Sequence, residues 1–259
     1  MARRDDIDSA ARSLKRHLEG LAMWGVRELP TSPSSRSEAS LRASPEQQRG
    51  MTHQVDSPAS LDVARDSALG EVERAEQALA QLEQEVIACR RCPLYRTRTH
   101  HVLGEGHPRA KLMFVGEAPG REEDLQGRPF IGAAGQLLTK MIEAIGLKRQ
   151  DVYICNVLKD RPPNNRTPEP SEVEACLPFL ERQLAIIQPT VICALGSTPA
   201  KALLGAHVAI TKVRGQVRQY RGILLVPTFH PAYLLRNPPA KRDVWQDLKT
   251  VKKLLEESV

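Results

Sequence analysis

Four side chains differ in chemistry: Glu117, Asn156 and His230 stand at or just beyond the ends of short apolar runs, and Phe130 lies in the loop after the first of them. Glu117 lies in Gly116-Glu117-Ala118-Pro119-Gly120. A carboxylate on a glycine-rich turn can orient a water molecule, while the same glycines also suit an ordinary strand-to-helix loop. Their spacing matches neither the dinucleotide fingerprint nor the phosphate-binding loop. Phe130 follows a proline in a chain with only 4% aromatic residues, so its ring is either a core plug or a stacking platform. Asn156 ends the run Tyr153-Ile154-Cys155, where an amide must pair its donors and acceptors, with backbone or with a ligand. His230, in Thr228-Phe229-His230-Pro231, reads as a structural or a proton-handling imidazole. Separately, Cys89 and Cys92 form a CxxC pair, which places two thiolates on one metal centre.

The elements that must position these groups follow from periodicity. Lys111 to Gly116, Val152 to Val157, Thr190 to Leu195 and Ile223 to Phe229 are short apolar segments suited to buried strands. Helical patterns lie between and after them, at about 134–145, 171–187, 199–204 and 241–257. This alternation predicts a three-layer α/β/α domain around a mostly parallel four-stranded sheet. Ligands in such folds bind beyond the C-terminal strand ends, where Glu117, Asn156, Gly196 and His230 fall.

Ahead of the first strand, Val72, Ala75, Leu79, Leu82, Val86 and Ile87 make one stripe of a helix from about Leu69 to Ala88, which delivers Cys89 and Cys92 at its end. The chain therefore divides into a helical extension (1–30), a Ser-, Pro- and Arg-rich linker (31–68) and a folded domain (69–259). A net charge of +6 and a pI near 9.2 favour an anionic partner such as nucleic acid. No run is apolar and long enough to span a bilayer, and an odd count of 5 cysteines argues against a disulfide framework. The expected setting is the cytoplasm, as a monomer.

Three blocks taken together, GEAPGREEDLQGRPFIGAAGQLL, VYICNVLKDRPPNNRTP and FHPAYLLRNP, resemble the signature blocks of the iron-sulfur (family 4) uracil-DNA glycosylases. The resemblance runs from about Glu85 to the C-terminus and implies a monofunctional glycosylase that flips uracil out of DNA and hydrolyses its glycosidic bond. It implies that Phe130 stacks on uracil and that Asn156 reads its edge; because cleavage leaves negative charge on uracil, His230 is the candidate donor to O2 and Glu117 the candidate for orienting or activating water, lining the pocket with Gly116 and Ala118. Among uracil glycosylases of another family an aspartate stands at the place of Ala118. Arg128, Lys159, Arg161, Arg166, Lys212, Arg214 and Arg236 are candidates for phosphate contact, with solvated surface charge as the alternative. Leu234 and Leu235 suit either a wedge entering the stack or the core.

The same family carries a four-iron, four-sulfur cluster on four cysteines, matched here by Cys89, Cys92 and Cys176, with Asp160 at the third position. Three arrangements follow: Asp160 as the odd ligand, the preferred one; a ligand set rearranged to use Cys155; or a labile or absent cluster. Two rival functions are a uracil-DNA binding protein without turnover and a zinc-binding or redox module.

Overall fold

The computed structural model describes the backbone of residues 58–258 and the side chains of residues 69–258. The expected extension at 1–30 and the linker as far as residue 57 lie outside them.

Helix α1 spans Pro58–Ala88, so it begins inside the stretch read as linker. Proline suits a first helical position, and the Ala, Leu and Val that follow are compatible with a helix even where they form no clear stripe. Ala75, Leu82 and Val86 are buried as their spacing predicts, but Ile87 is exposed. Leu82 and Val86 pack with Leu103 and Phe179, which lays α1 against helix α4 (Pro170–Ile187).

The sheet has six strands in the order β1-β3-β2-β4-β6-β5. Its centre is the predicted parallel set: β2 (Leu112–Gly116), β3 (Tyr153–Asn156), β4 (Val191–Leu195) and β6 (Ile223–Thr228). Two antiparallel edge strands, β1 (Glu105–Gly106) and β5 (Arg218–Tyr220), complete it. At two and three residues they are too short to leave a readable alternation.

Successive residues of the central strands feed opposite faces, as the two-residue strand period requires. Leu112, Phe114, Ile154, Cys193 and Val226 pack with α3 (Ala133–Ala144) and α8 (Lys241–Glu257). Met113, Val115, Tyr153, Cys155, Ile192 and Leu225 pack against α4 and α5 (Ser197–Leu204). Both faces are covered, so the strands read as nearly continuous apolar runs. Short helices α2 (Arg121–Gln126), α6 (Ile210–Val213) and α7 (Pro231–Arg236) shape the loops at the strand ends. Among the described residues no helix is long and apolar enough to cross a membrane.

Candidate active site

Gly116 and Asn156 are partners in the last register pair of the parallel strands β2 and β3. A Cβ on Gly116 would lie 2.4 Å from Asn156 Oδ1 and 2.5 Å from Phe130 Cζ. The missing side chain thus lets the amide and the ring converge over the end of the strand. Glu117, Ala118, Phe130, Asn156 and His230 line one open cavity of about 400 Å³, with Pro162, Asn165 and Arg166 contributing from the following loop. A cavity of similar size at the opposite, N-terminal ends of the strands, lined by His107, Lys111, Leu147 and Lys252 among others, holds no comparable constellation.

Asn156 is buried, and among the described residues its Oδ1 is the one buried side-chain polar atom with no hydrogen-bond partner. An orphaned acceptor in such a place costs about 1–3 kcal/mol, which a ligand donor can recover.

Phe130 takes a left-handed backbone conformation, φ 51°, unusual for a bulky residue and unfavourable by roughly 1–2 kcal/mol. Two contacts hold it there. Glu123 Oε1 accepts from the amides of Ile131 and Gly132, both at 2.9 Å, and Gly135 at the start of α3 sits against the Phe130 carbonyl, where a Cβ would come within 1.9 Å. The ring therefore stands fixed beside the cavity, its centroid 5.6 Å from that of His230. Glu123 as loop anchor was not singled out from sequence, where it is one acid in a run of three.

His230 caps α7: its Nδ1 accepts from the Ala232 amide at 3.1 Å. That bond fixes the tautomer, leaving the proton on Nε2. Protein packed around the part-buried ring pushes its pKa down to about 4, and the Arg236 charge acts in the same direction. The imidazole is therefore neutral at ordinary pH and offers one N–H donor. Gly196, with φ 98°, begins α5 close beside His230, where a Cβ in its place would stand 3.1 Å from the His230 Cβ. Upstream, Thr228 donates to Asp247 Oδ2 at 2.6 Å, tying the end of β6 to α8.

Glu117 accepts a short hydrogen bond from the Thr198 hydroxyl at the start of α5. Thr198 had no sequence signal beyond its place after Gly196. The bond orients one carboxylate oxygen and leaves the other for water.

The basic candidates separate. Lys159 is wholly buried and donates to the Asn156 carbonyl and to Gln183, so it is a core side chain and not a phosphate contact. Arg214 is committed to Asp247 and Arg128 to Glu105. Arg166 forms a two-pronged pair with the buried Glu172, at 2.6 and 2.8 Å. Lys212 and Arg236 are exposed, and Arg161 is part-buried, with its Nε 2.7 Å from Asn165 Oδ1. Leu234 is buried in the core, whereas Leu235 is 48% exposed, so of the two only Leu235 faces solvent.

Cys89, Cys92, Asp160 and Cys176 line a single small cavity with Lys159 and Phe179. A hydrogen bond shared with Cys176 holds the Cys92 thiol below its ordinary pKa. Three soft thiol donors on one cavity are of the kind an iron-sulfur cluster takes, one short of the usual four. The fourth position differs: both Asp160 oxygens accept from Arg98 Nη1, at 2.9 and 3.1 Å, and Arg98 also donates to the Val86 and Ile87 carbonyls at the end of α1. Asp160 thus has a partner already, and each of its oxygens keeps a further lone pair that could meet a metal. Cys155 and Cys193 are buried in β3 and β4, the expected place of inert thiols. Among the described residues no group of three His, Cys, Asp or Glu side chains is arranged to hold a single metal ion.

The sequence matches the uracil DNA glycosylase superfamily over residues 103–249, the stretch from β1 into α8 that carries the whole cavity. It is 48% identical over 186 residues to a type-4 uracil-DNA glycosylase of Sulfurisphaera tokodaii, covering 68% of this chain and 84% of that protein. A type-4 enzyme of Thermotoga maritima is 48% identical over 70% of this chain and 96% of its own length. One from Archaeoglobus fulgidus is 44% identical over 69% and 94%. Likeness of that extent, spanning the strands and loops that assemble the pocket, places the chain in the type-4 uracil-DNA glycosylase family.

Proposed function

We propose that this protein binds uracil-containing DNA, turns the uridine out of the stack and hydrolyses its glycosidic bond, leaving an abasic site for base excision repair. The observation that carries the reading is the unpartnered Asn156 Oδ1 beside the Phe130 ring. A stacked base cannot reach a buried pocket, so the nucleotide must leave the duplex. Uracil then lies on Phe130, its N3–H supplies the donor that Asn156 Oδ1 lacks, and the amide N–H donates to O4. Cytosine presents an acceptor at N3 and a donor at C4, so Asn156 would be mispaired twice.

Bond cleavage leaves negative charge on uracil. A neutral His230 donates from Nε2 to O2, where that charge develops, and a donor of this kind supplies roughly 3–4 kcal/mol of stabilisation in other enzymes. Its low pKa matters for this role, since no proton needs to be shed on binding. Glu117, oriented by Thr198, holds the water on the sugar side. Gly116 and Ala118 leave room for the base. Lys212 and Arg236 meet the phosphates, with Leu235 entering the vacated stack.

Cys89, Cys92 and Cys176 would hold an iron-sulfur cluster of the four-iron kind, with Asp160, steadied by Arg98, as the odd fourth ligand. The cluster would pin the end of α1, the Asp160 loop and α4 together, and supplies structure rather than chemistry to hydrolysis. None of the five cysteines is in a disulfide, which fits a reducing cytoplasmic setting.

The test is base release from a labelled oligonucleotide with one uracil, followed by alkali, using wild type and Asn156→Ala. Alkali-dependent cleavage at uracil, lost in the variant, supports the reading. Intact DNA with tight uracil-dependent binding would instead support a binding protein without turnover.

A further inference from the structure

Lys159 is among the largest fully buried side chains of the domain, in a place where a leucine would fill the space without a polar atom to satisfy. Its ammonium donates to the Asn156 main-chain carbonyl at 2.6 Å and to Gln183 Oε1 at 2.6 Å. Gln183, in the middle of α4, is itself held: its Nε2 donates to the Leu103 carbonyl at 2.9 Å and to the Tyr153 hydroxyl at 3.2 Å. The chain of contacts therefore runs from α4 and the loop before β1, through Lys159, to the last residue of β3. That residue carries the amide that meets the base. The same Lys159 side chain borders the cysteine cavity, which puts one side chain between that cavity and the pocket.

We propose that Lys159 is a positioning residue for base recognition: by gripping the Asn156 carbonyl against Gln183 it fixes the height and tilt of the Asn156 amide. Asn156 is not held through its Oδ1, which has no partner, so its placement depends on the backbone that bears it. The strand ladder fixes that backbone on the Gly116 side, and Val157 and Leu158 continue it by donating to the Gly116 and Glu117 carbonyls. Lys159 closes the turn back onto Asn156 three residues earlier. This inference rests on the reading that Asn156 contacts uracil.

A double-mutant cycle in the full-length chain tests it, comparing wild type, Lys159→Met, Asn156→Ala and the double variant by single-turnover excision from a uracil oligonucleotide. Methionine keeps the length and loses the donors. Lys159→Met is expected to slow excision about tenfold in the wild-type background, the order of one charged hydrogen bond, and less than about twofold in the Asn156→Ala background. Should Lys159→Met fail to fold, Lys159→Leu, which also loses the donors, enters the same cycle with the same expectation of non-additivity. Equal losses in both backgrounds would overturn this inference alone, since they would mean Lys159 acts on stability or elsewhere in the site. An Asn156→Ala protein as active as wild type would overturn the underlying reading instead.

Discussion

Gly116→Ala is a small change with a large expected effect on catalysis. Gly116 does not use a left-handed backbone, so alanine meets no conformational penalty there. Its methyl, however, would stand 2.4 Å from Asn156 Oδ1 and 2.5 Å from the Phe130 ring, against an ordinary contact of about 3.5 Å. Either the amide or the ring must retreat by about 1 Å. Phe130 is braced through Gly135 and Glu123, and Asn156 through the strand ladder and Lys159, so neither gives way freely. Overpacking of this kind costs about 1–3 kcal/mol of stability, which leaves a folded protein. A misplacement near 1 Å at reacting groups costs about 100-fold in rate. Single-turnover excision is therefore expected to fall about 100-fold, with circular dichroism and iron content near wild type. A Gly116→Ala enzyme within twofold of wild type would refute the close convergence of Asn156 and Phe130 on which the pocket depends.

The pH dependence of excision should show no inflection near 6.5, the usual histidine value, and should fall only as pH approaches about 4, where His230 Nδ1 takes a proton and releases the Ala232 amide. Because the folded state disfavours the charged ring, the stability contributed by His230 is complete above 6.5 and declines as pH falls from there toward about 4; acid unfolding of wild type beside His230→Gln measures it. Thr198→Val removes the hydroxyl that orients Glu117 and should slow the chemical step about tenfold while leaving the affinity for uracil DNA within about twofold, as binding and single-turnover assays together would show. Cys89→Ala should reduce iron content and folding yield before it alters uracil selectivity, whereas Asp160→Cys should raise iron retention during chelator challenge by adding a soft ligand, although it removes the carboxylate that pairs with Arg98. Iron and acid-labile sulfide determinations check both, and unchanged retention in Asp160→Cys would count against the shared cavity as the cluster site.

Much of the fold was legible because buried parallel strands leave uninterrupted apolar runs, and all four central strands fall where those runs stand. The helix of α4 was readable straight through Pro178, since its apolar spacing continues on both sides. The pocket was legible for a related reason: Glu117, Asn156 and His230 each follow a strand end, and a parallel sheet brings such ends together. What escaped the sequence was partnership. Lys159 looks like any loop lysine, and only the fold shows that Gln183, twenty-four positions away, receives it. Arg98 and Asp160 are 62 positions apart, and nothing local announces that the expected ligand is already paired. Thr198 and Glu123 likewise gain their meaning from a neighbour brought in by the topology. Leu234 and Leu235 could not be separated without knowing which face of α7 meets α3 and the sheet.

The central claim is that one amide reads the uracil edge, and Asn156→Asp tests it most directly, since a carboxylate accepts hydrogen bonds but cannot donate one to O4. The measurement is base release from paired oligonucleotides that carry a single uracil or a single cytosine in a mismatch. Excision of uracil is expected to drop by at least roughly 100-fold, from one lost hydrogen bond and a carboxylate oxygen left facing O4, with cytosine release rising above the wild-type background. Uracil excision at the wild-type rate, with cytosine still untouched, would contradict the account.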